Sequence, residues 1–333
     1  MVNFKRLSAF ILCVTSIISI TGCSQPNNNK SSSESLADSS ESEKVLIPKH
    51  IETTIEGEYI TLSFDGDVSV PSDCLNIYEG NLLSFSGKEA KEQFIEENFP
   101  EFASKSEQLQ YVQSTEFGEL FQYGSDIKAS DYEKIQFLTD LNLLYYRTPD
   151  TTVKTDKTQA LEDSKSFISS LGQPFSSNIS DASFSNTAGA RNCVSMIYPM
   201  YIDGIPSVTL SVNYGGDDSI YTGEWLIAYC DNKGVFNFQN SVLLTEHTLS
   251  ESYTSDEWLH PEDVLNMLFE HFDTPEALTP RIKSIDLQYL AVPIRKVDPS
   301  KKRRIIPVWC VKYVDVSKTP SYIYVDAING EFY

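Results

Sequence analysis

Apolar and polar residues alternate along much of the chain, and this period of two is typical of β-strands that bury one face. Residues 51–86 alternate in this way and are interrupted at Gly57, Asp65-Gly66, Pro71 and Gly80, residue types that favour turns. The same pattern predicts later strands within residues 193–204, 206–215, 224–234, 235–246, 284–297, 304–316 and 321–333.

Three segments have the period of an α-helix instead. Residues 86–99 carry a short apolar stripe that includes Phe94 and Ile95, and residues 155–172 carry a longer one that ends at Gly172, where a helix would stop. Residues 260–272 place Pro261 at a helix-start position and repeat the apolar pattern. We therefore predict three helices.

A helix followed by several antiparallel strands thus recurs along the chain. Each such group could bury one face of its helix against one face of its sheet, which is a two-layer arrangement. The sequence therefore predicts an α+β fold of tandem two-layer units, each a helix packed on an antiparallel sheet. The predicted bounds are 45–150 for the N-terminal unit, 151–255 for the middle unit and 256–333 for the C-terminal unit.

Two stretches near the C-terminus resemble a known module. Residues 307–313 read PVWCVKY, and residues 322–331 read YIYVDAINGE, in which Asn329-Gly330 is a tight-turn dipeptide. Together they resemble the last hairpin of a PepSY-type module, with strands of the form W-x-V-x-Y and V-D-A-x-T/N-G-E. The resemblance covers about residues 258–333 and implies that the predicted units are PepSY- or cystatin-like.

A second resemblance lies upstream. Residues 60–71, ITLSFDGDVSVP, resemble the first strands of uncharacterised surface lipoproteins of clostridial-type Gram-positive bacteria. The repeated helix-and-sheet pattern is also similar to the membrane-tethered regulators of the cell-wall histidine kinase. These resemblances imply a protein-binding or inhibitory role outside the membrane, and they supply no catalytic residues.

Residues 1–22 have the three parts of a secretory signal. Lys5 and Arg6 precede an apolar run from residue 7 to 20, which is shorter than the roughly 20 residues that span a bilayer. Residues 20–23, ITGC, resemble the bacterial lipobox, which implies cleavage after Gly22 and a diacylglycerol on the Cys23 thiol. An ordinary signal peptide with a coincidental cysteine is the alternative.

Residues 23–44 are rich in Ser and Asn after the cysteine and have almost nothing to bury, so we predict that they form a disordered tether. Acyl chains on Cys23 would hold the folded part at the membrane. The predicted location is therefore the outer face of the cell membrane of a Gram-positive bacterium, with the lipid anchor as the membrane contact.

The formal net charge is -21 at pH 7, which repels the phosphates of nucleic acid, so nucleic acid is excluded as a partner. One short run is strongly basic although the net charge of the chain is negative, and it consists of Lys301, Lys302, Arg303 and Arg304. Its place between two apolar strands favours a solvated hairpin tip whose charges prevent edge-to-edge pairing. Contact with an anionic surface, such as lipid headgroups or wall polymers, is the functional alternative.

Four cysteines remain once Cys13 leaves with the signal and Cys23 carries lipid: Cys74, Cys193, Cys230 and Cys310. Their even number in an exported chain allows disulfides. Cys193 and Cys230 lie in stretches predicted to be neighbouring strands, so we predict a disulfide between these two, while Cys310 could be a buried free thiol. A metal site would need a tight cluster such as C-x-x-C, which the sequence lacks.

Motifs for catalysis are missing from the sequence as well. It has no G-x-S-x-G, and His260 and His271 are eleven residues apart, whereas a zinc pair on a helix needs a spacing of three or four. Asp65-Gly66-Asp67 is predicted to be a hairpin turn, because the later acidic ligands of a calcium loop do not follow it. We therefore predict that the protein is not an enzyme and uses no cofactor.

The predicted function is that of a binding or regulatory module for a protein, peptide or cell-wall partner. An open sheet edge could take a partner strand through main-chain hydrogen bonds. The alternatives are a solute- or substrate-binding lipoprotein and, less favoured, a hydrolase without a recognisable motif.

Overall fold

The structure, a computed structural model, describes residues 46–71, 74–85, 87–100, 110–115, 118–124, 133–137, 143–176, 182–185, 191–210, 212–213, 220–241, 243–274, 279–294, 302–314 and 318–333. The predicted signal at 1–22, Cys23, the tether to residue 44 and Lys301 lie outside these residues. Where the chain is described, 54% of it is in β-strands.

Three helices occur in the described residues, and all three were predicted. They are α1 (Gly87–Asn98), α2 (Lys157–Ser170) and α3 (Pro261–Phe272). The Asp156 carboxylate caps α2 by accepting hydrogen bonds from the backbone amides of Thr158 and Gln159 at 2.9 and 3.0 Å. Gly172, with φ of +66°, follows the end of α2, as its position in the sequence predicts.

Two large sheets contain most of the strands. The five-stranded sheet has the order β16 (Thr248–Thr254), β3 (Cys74–Asn81), β18 (Lys302–Val314), β17 (Arg281–Pro293), with β19 (Pro320–Asp326) also paired to β18. The eight-stranded sheet has the order β4 (Gln110–Thr115), β5 (Gly118–Gly124), β6 (Glu133–Phe137), β7 (Leu143–Arg147), β15 (Gly234–Asn240), β14 (Trp225–Asp231), β9 (Val194–Pro199), β8 (Ser183–Ser185).

Three two-stranded pairs complete the strands of the described chain. They are β1 (Leu46–Glu56) with β2 (Thr61–Pro71), β10 (Tyr201–Ile202) with β11 (Ile205–Pro206), and β12 (Val212–Asn213) with β13 (Ile220–Tyr221). The turn of the first pair closes with a hydrogen bond from Gly57 N to Ile60 O at 2.9 Å.

The five-stranded sheet buries side chains on both faces. Leu62 of β2, Leu265 of α3 and Trp309 of β18 belong to one core, which lies between this sheet, the β1–β2 hairpin and α3. Leu290 and Ile306 belong to a second core, on the opposite face of the same sheet. This two-sided burial explains why residues 289–292 of β17 and 305–311 of β18 are apolar at consecutive positions, whereas the first part of β17 alternates.

A third core lies between the eight-stranded sheet and the helices α1 and α2. Ile95 of α1, Ile168 of α2 and Phe238 of β15 are buried in it, with 1% or less of each residue exposed. The helices therefore cover this sheet by their apolar stripes, as the helical periodicity predicts.

Backbone hydrogen bonds join the five-stranded sheet to the chain segments between β9 and β14 of the eight-stranded sheet. Val208 N donates to Tyr289 O of β17 at 2.8 Å, and Ala291 N of β17 donates to Thr222 O at 2.9 Å. Glu224, which is 1% exposed, adds side-chain bonds, because its carboxylate accepts from Leu244 N and lies 2.5 Å from His247 Nε2. The segment around residues 222–224 therefore connects the five-stranded sheet to β14.

The predicted fold class is wrong. The protein is mostly β, with several antiparallel sheets, and it does not consist of tandem helix-on-sheet units of the PepSY- or cystatin-like kind. β3 pairs with both β16 and β18, and β7 pairs with β15, so strands from different predicted units share one sheet. Local periodicity identifies a strand but not its partner, which is why adjacent elements were grouped incorrectly.

Asp65-Gly66-Asp67 is not a hairpin turn, contrary to the prediction. The three residues lie in the middle of β2 and pair with residues 50–52 of β1. Both carboxylates point outward beside His50, whose Nδ1 is 3.0 Å from Asp67 Oδ1 and whose Nε2 is 3.4 Å from Asp65 Oδ1. A turn-like composition is tolerated here because this face of the hairpin is exposed.

Candidate binding edge

β16 is an edge strand of the five-stranded sheet. Its register with β3 runs from Thr248 opposite Glu79 to Thr254 opposite Cys74, and β3 is its only strand partner in the described chain. Six of its seven residues are exposed, and Leu249 is 56% exposed. The outer side of β16 therefore presents backbone N–H and C=O groups that another strand could pair with.

A bulge divides this edge into two parts. The register shifts between Leu249 and Glu251, which leaves Ser250 without a partner on β3. Beyond the bulge, residues 251–254 pair with β3 without interruption, and Ser252 Oγ donates to Asn76 Oδ1 at 2.8 Å. The straight segment at 251–254 is long enough for a few main-chain hydrogen bonds to an added strand.

The usual protection of an edge strand is weak at β16. Edge strands are commonly shielded by proline, by outward charges or by being very short. β16 has no proline, and its one charged residue, Glu251, is ion-paired with Arg304 of β18, so its carboxylate is turned across the sheet. By contrast, β1 carries Pro48 and several exposed charges, and β8 has only three residues.

A shallow groove of about 250 Å³ lies beside the start of β16. It is lined by residues 79–81 of β3, by Glu246 and residues 248–250, and by Lys302 of β18. Lys302 Nζ is 2.7 Å from Glu79 Oε2, and Asn81 Nδ2 donates to Glu246 Oε1 at 3.2 Å. The groove is therefore polar, and it could hold a polar side chain from a strand added to β16.

The basic run predicted at residues 301–304 does not form a free cationic surface where it is described. Lys302 is paired with Glu79 and Arg304 with Glu251, while Arg303 is only 8% exposed. Residues 302–304 lie within β18, where Arg303 and Arg304 pair with Pro293 and Val292 of β17, and the segment that joins the two strands lies outside the described residues. These pairings weigh against a contact with an anionic surface.

The predicted disulfide between Cys193 and Cys230 is not formed in the structure, where none of Cys74, Cys193, Cys230 and Cys310 takes part in a disulfide. Cys230 pairs with Val194, and its thiol points into the core and donates to Ala160 O of α2 at 3.5 Å. Cys193 precedes Val194, so the alternation of a strand turns its side chain away. Burial raises the pKa of Cys230 to about 12, which disfavours its reactive thiolate form.

The histidines have structural contacts. Besides the pairs of His50 and His247 with carboxylates, His260 caps α3 together with Asp263, and the His271 ring stacks on Phe332. In the described ranges, no group of three or more His, Cys, Asp or Glu side chains is placed to hold a metal ion.

No helix among the described elements is both long enough and apolar enough to cross a bilayer.

Comparison with known proteins gives a structural likeness only. No family model matches the chain, and no curated protein matches it. Nine chains of solved structures match. One of them, an uncharacterised protein from Eubacterium rectale ATCC 33656, superposes with a TM-score of 0.58 over 87% of this chain and 96% of its own length, at 15% identity. At that identity the likeness shows the fold alone.

β16 was not predicted from the sequence. Its residues, TLSESYT, are polar apart from Leu249 and Tyr253, and a strand with so little to bury lacks the apolar alternation that reveals a strand. The available signal was the density of β-branched and aromatic residues, with Thr at both ends and Tyr253 near the second.

Proposed function

We propose that the protein is an exported lipoprotein, held on the outer face of the cell membrane by a lipid on Cys23, that binds an extended segment of another protein along β16. The observation that carries the binding role is the exposed outer edge of β16. Because the strand lacks proline and its one carboxylate is paired with Arg304, neither a missing N–H group nor an unpaired charge prevents main-chain pairing with a partner strand.

The anchor is supported by the order of segments at the N-terminus. A basic start, a short apolar run and the sequence ITGC are followed by a polar stretch up to residue 44. A tether of about twenty residues has a mean reach of roughly 25 Å, which would place the folded part close above the lipid headgroups. A partner in the membrane or the wall would then be within reach.

The occupant of β16 is proposed to be a different protein rather than a second copy of this chain. Two copies would each lose Lys5 and Arg6 with the signal and bring a net charge of -23, and like charge disfavours their association. Lys302 and Arg304 balance Glu79 and Glu251 beside this edge, whereas Glu246 is bonded only to the neutral amide of Asn81 among the described residues, so an extended segment with neutral or basic side chains suits the edge.

Replacing Cys23 by serine is expected to move the protein from the membrane to the medium. Acyl chains cannot be attached to a serine at this position, and without them little apolar surface remains to hold the protein on lipid. Fractionation of a Gram-positive host that expresses the full chain, with a labelled fatty acid, measures both location and acylation.

The matched control is Cys193→Ser, which removes a half-exposed thiol from the folded part and should leave the protein in the membrane fraction. If the Cys23→Ser variant stays on the membrane as fully as the original chain, the anchor is not at Cys23.

A photo-crosslinking residue in place of Ser250 is expected to capture a partner in intact cells, because residue 250 is exposed beside both the groove and the open edge. The crosslinked peptide, identified by mass spectrometry, should then bind the purified protein when it is synthesised. A crosslinker at Ser166, an exposed position on α2, is the control. Equal capture at the two positions, or a synthetic peptide that fails to bind, would contradict the role of β16.

A further inference from the structure

Arg303 differs from the two basic residues beside it. Lys302 and Arg304 reach acidic partners, whereas Arg303 is 8% exposed and stands on β18 between Gly80 of β3 and Pro293 of β17. Neither cross-strand neighbour has a side chain that can accept a hydrogen bond. The register therefore places a guanidinium in the sheet without an acceptor from the residues directly opposite.

Two nitrogens of this guanidinium are buried and unpaired. Arg303 Nε and Nη1 have almost no exposure and no hydrogen-bond partner in the part of the chain that the structure describes. Buried arginines are normally paired with carboxylates, because an uncompensated charge away from water is costly. Such an arginine points to an anion as its ligand.

The group stays a cation despite its burial. Burial lowers the pKa of Arg303, and the nearby phenol of Tyr221 acts in the opposite direction. Because an ordinary guanidinium titrates far above neutral pH, a lowered value still leaves it protonated. The site therefore offers a permanent positive charge with free donors.

We propose that Arg303 is a receptor for a single carboxylate, bound by two parallel N–H···O hydrogen bonds from the guanidinium. The planar fork of arginine matches the two oxygens of a carboxylate. One carboxylate carries one negative charge and balances one guanidinium, whereas a phosphate ester would bring almost two charges to a buried site with a single cation. The carboxylate could be a small free anion or the C-terminus of a peptide.

The test compares stability in sodium acetate and in sodium chloride at equal ionic strength, measured by urea unfolding of the purified chain. A ligand that binds only the folded state at 100 times its Kd raises the folded-to-unfolded ratio about a hundredfold. We expect acetate to stabilise the original chain more than chloride does, and Arg303→Met to abolish that difference. Arg303→Lys keeps the positive charge but loses the planar guanidinium that can form two parallel hydrogen bonds. This variant should retain a smaller stabilisation by acetate than the original chain.

Arg281→Met is the control, since it removes the same charge from an exposed position at the start of β17 and should leave the acetate effect intact. A tripeptide with a free C-terminus, compared with the same tripeptide as its amide, distinguishes the two sources of the carboxylate. If the free tripeptide stabilises the chain more than acetate does, the ligand is a peptide C-terminus. If acetate stabilises the chain more, the ligand is a small anion.

Three results would overturn the proposal. Equal stability in acetate and chloride would show that no carboxylate binds. A strong loss of stability in Arg303→Met in both salts, without an acetate effect in the original chain, would show that the chain itself supplies the counter-charge. A larger, Arg303-dependent effect of phosphate than of acetate would show that the site selects phosphate.

Discussion

Replacing Asp231 by alanine is expected to lower the free energy of unfolding by about 3–5 kcal/mol, the usual cost of removing one partner of a buried ion pair. Asp231 is 1% exposed and lies at the end of β14, where the chain turns into β15. Its carboxylate forms two parallel hydrogen bonds with Arg147 of β7, Nη1 to Oδ2 and Nη2 to Oδ1, each 2.7 Å long.

The loss is large because several groups depend on this carboxylate. Asp150 N and Lys233 N donate to it at 2.7 and 2.8 Å, so both amides would lose their acceptor. Arg147 would keep its bonds to the carbonyls of Val235, Gly234 and Thr148, which leaves its partly buried charge without a carboxylate. The substitution therefore loosens β7, the β14–β15 turn and the segment after β7 together.

The effect should depend on pH in a defined direction. Burial by itself raises the pKa of Asp231, but the hydrogen bonds from Arg147 and from the amides of Asp150 and Lys233 outweigh it, so the pKa lies below its ordinary value. A carboxyl group whose pKa falls on folding stabilises the protein above its unfolded pKa, about 3.9 for aspartate, and this contribution is lost as the pH falls below that value. The difference between original and variant should therefore narrow in acid.

Urea unfolding at pH 7 and at several values below pH 4 measures this difference. Asp67→Ala is the control, because the Asp67 side chain is 77% exposed, and its removal should change stability by less than about 1 kcal/mol. A loss of similar size for the two variants at pH 7, or a difference that widens in acid, would contradict this account of the Asp231–Arg147 pair.

The helices were predictable because each carries its own signals. Asp156 caps α2, Gly172 follows its end, and Pro261 starts α3, all within a few residues of the apolar stripe they bound. The strands β17 and β18 were also predictable, because β17 begins with an apolar alternation and residues 305–311 of β18 form a continuous apolar run. The residues that determine these elements lie within or next to them, so a short window of the sequence is enough to predict them.

The arrangement of the sheets was not predictable in this way. β3 and β18 are more than 200 residues apart, and their register of Gly80 opposite Arg303 leaves no trace in either segment alone. No elements were predicted for the strands β4–β7, within residues 110–147. Pairings over such distances depend on the whole core, and the tandem-unit prediction failed because it joined only neighbours in sequence.

The candidate site was predictable in kind but not in place. An open sheet edge was expected, but β16 is too polar to be identified as a strand from its sequence. The basic run at residues 301–304 was considered as a contact for an anionic surface only because of its charge. The structure separates that run into two ion-paired residues and one buried guanidinium. The three residues differ because successive side chains along β18 point to opposite faces of the sheet. The amino-acid composition of the run does not show which side chain points to which face.

Replacing Trp309 by alanine is expected to cost about 3–5 kcal/mol of stability, the range measured for large aromatic residues in cores. Trp309 is fully buried in the middle of β18, with Leu287 of β17 and Val325 of β19 directly opposite. Its Nε1 donates to Leu259 O at 2.8 Å, which holds the segment before α3 against the sheet. The substitution would therefore open a cavity and release the start of α3.

Two further variants separate these effects in urea unfolding at pH 7. Trp309→Phe keeps most of the apolar volume but leaves Leu259 O without its donor, so its cost should be smaller, about 1–3 kcal/mol. Leu249→Ala, at a residue that is 56% exposed, should change stability by no more than about 0.5 kcal/mol. If Trp309→Ala cost no more than Leu249→Ala, the core between the five-stranded sheet, the β1–β2 hairpin and α3 would not be organised around this tryptophan.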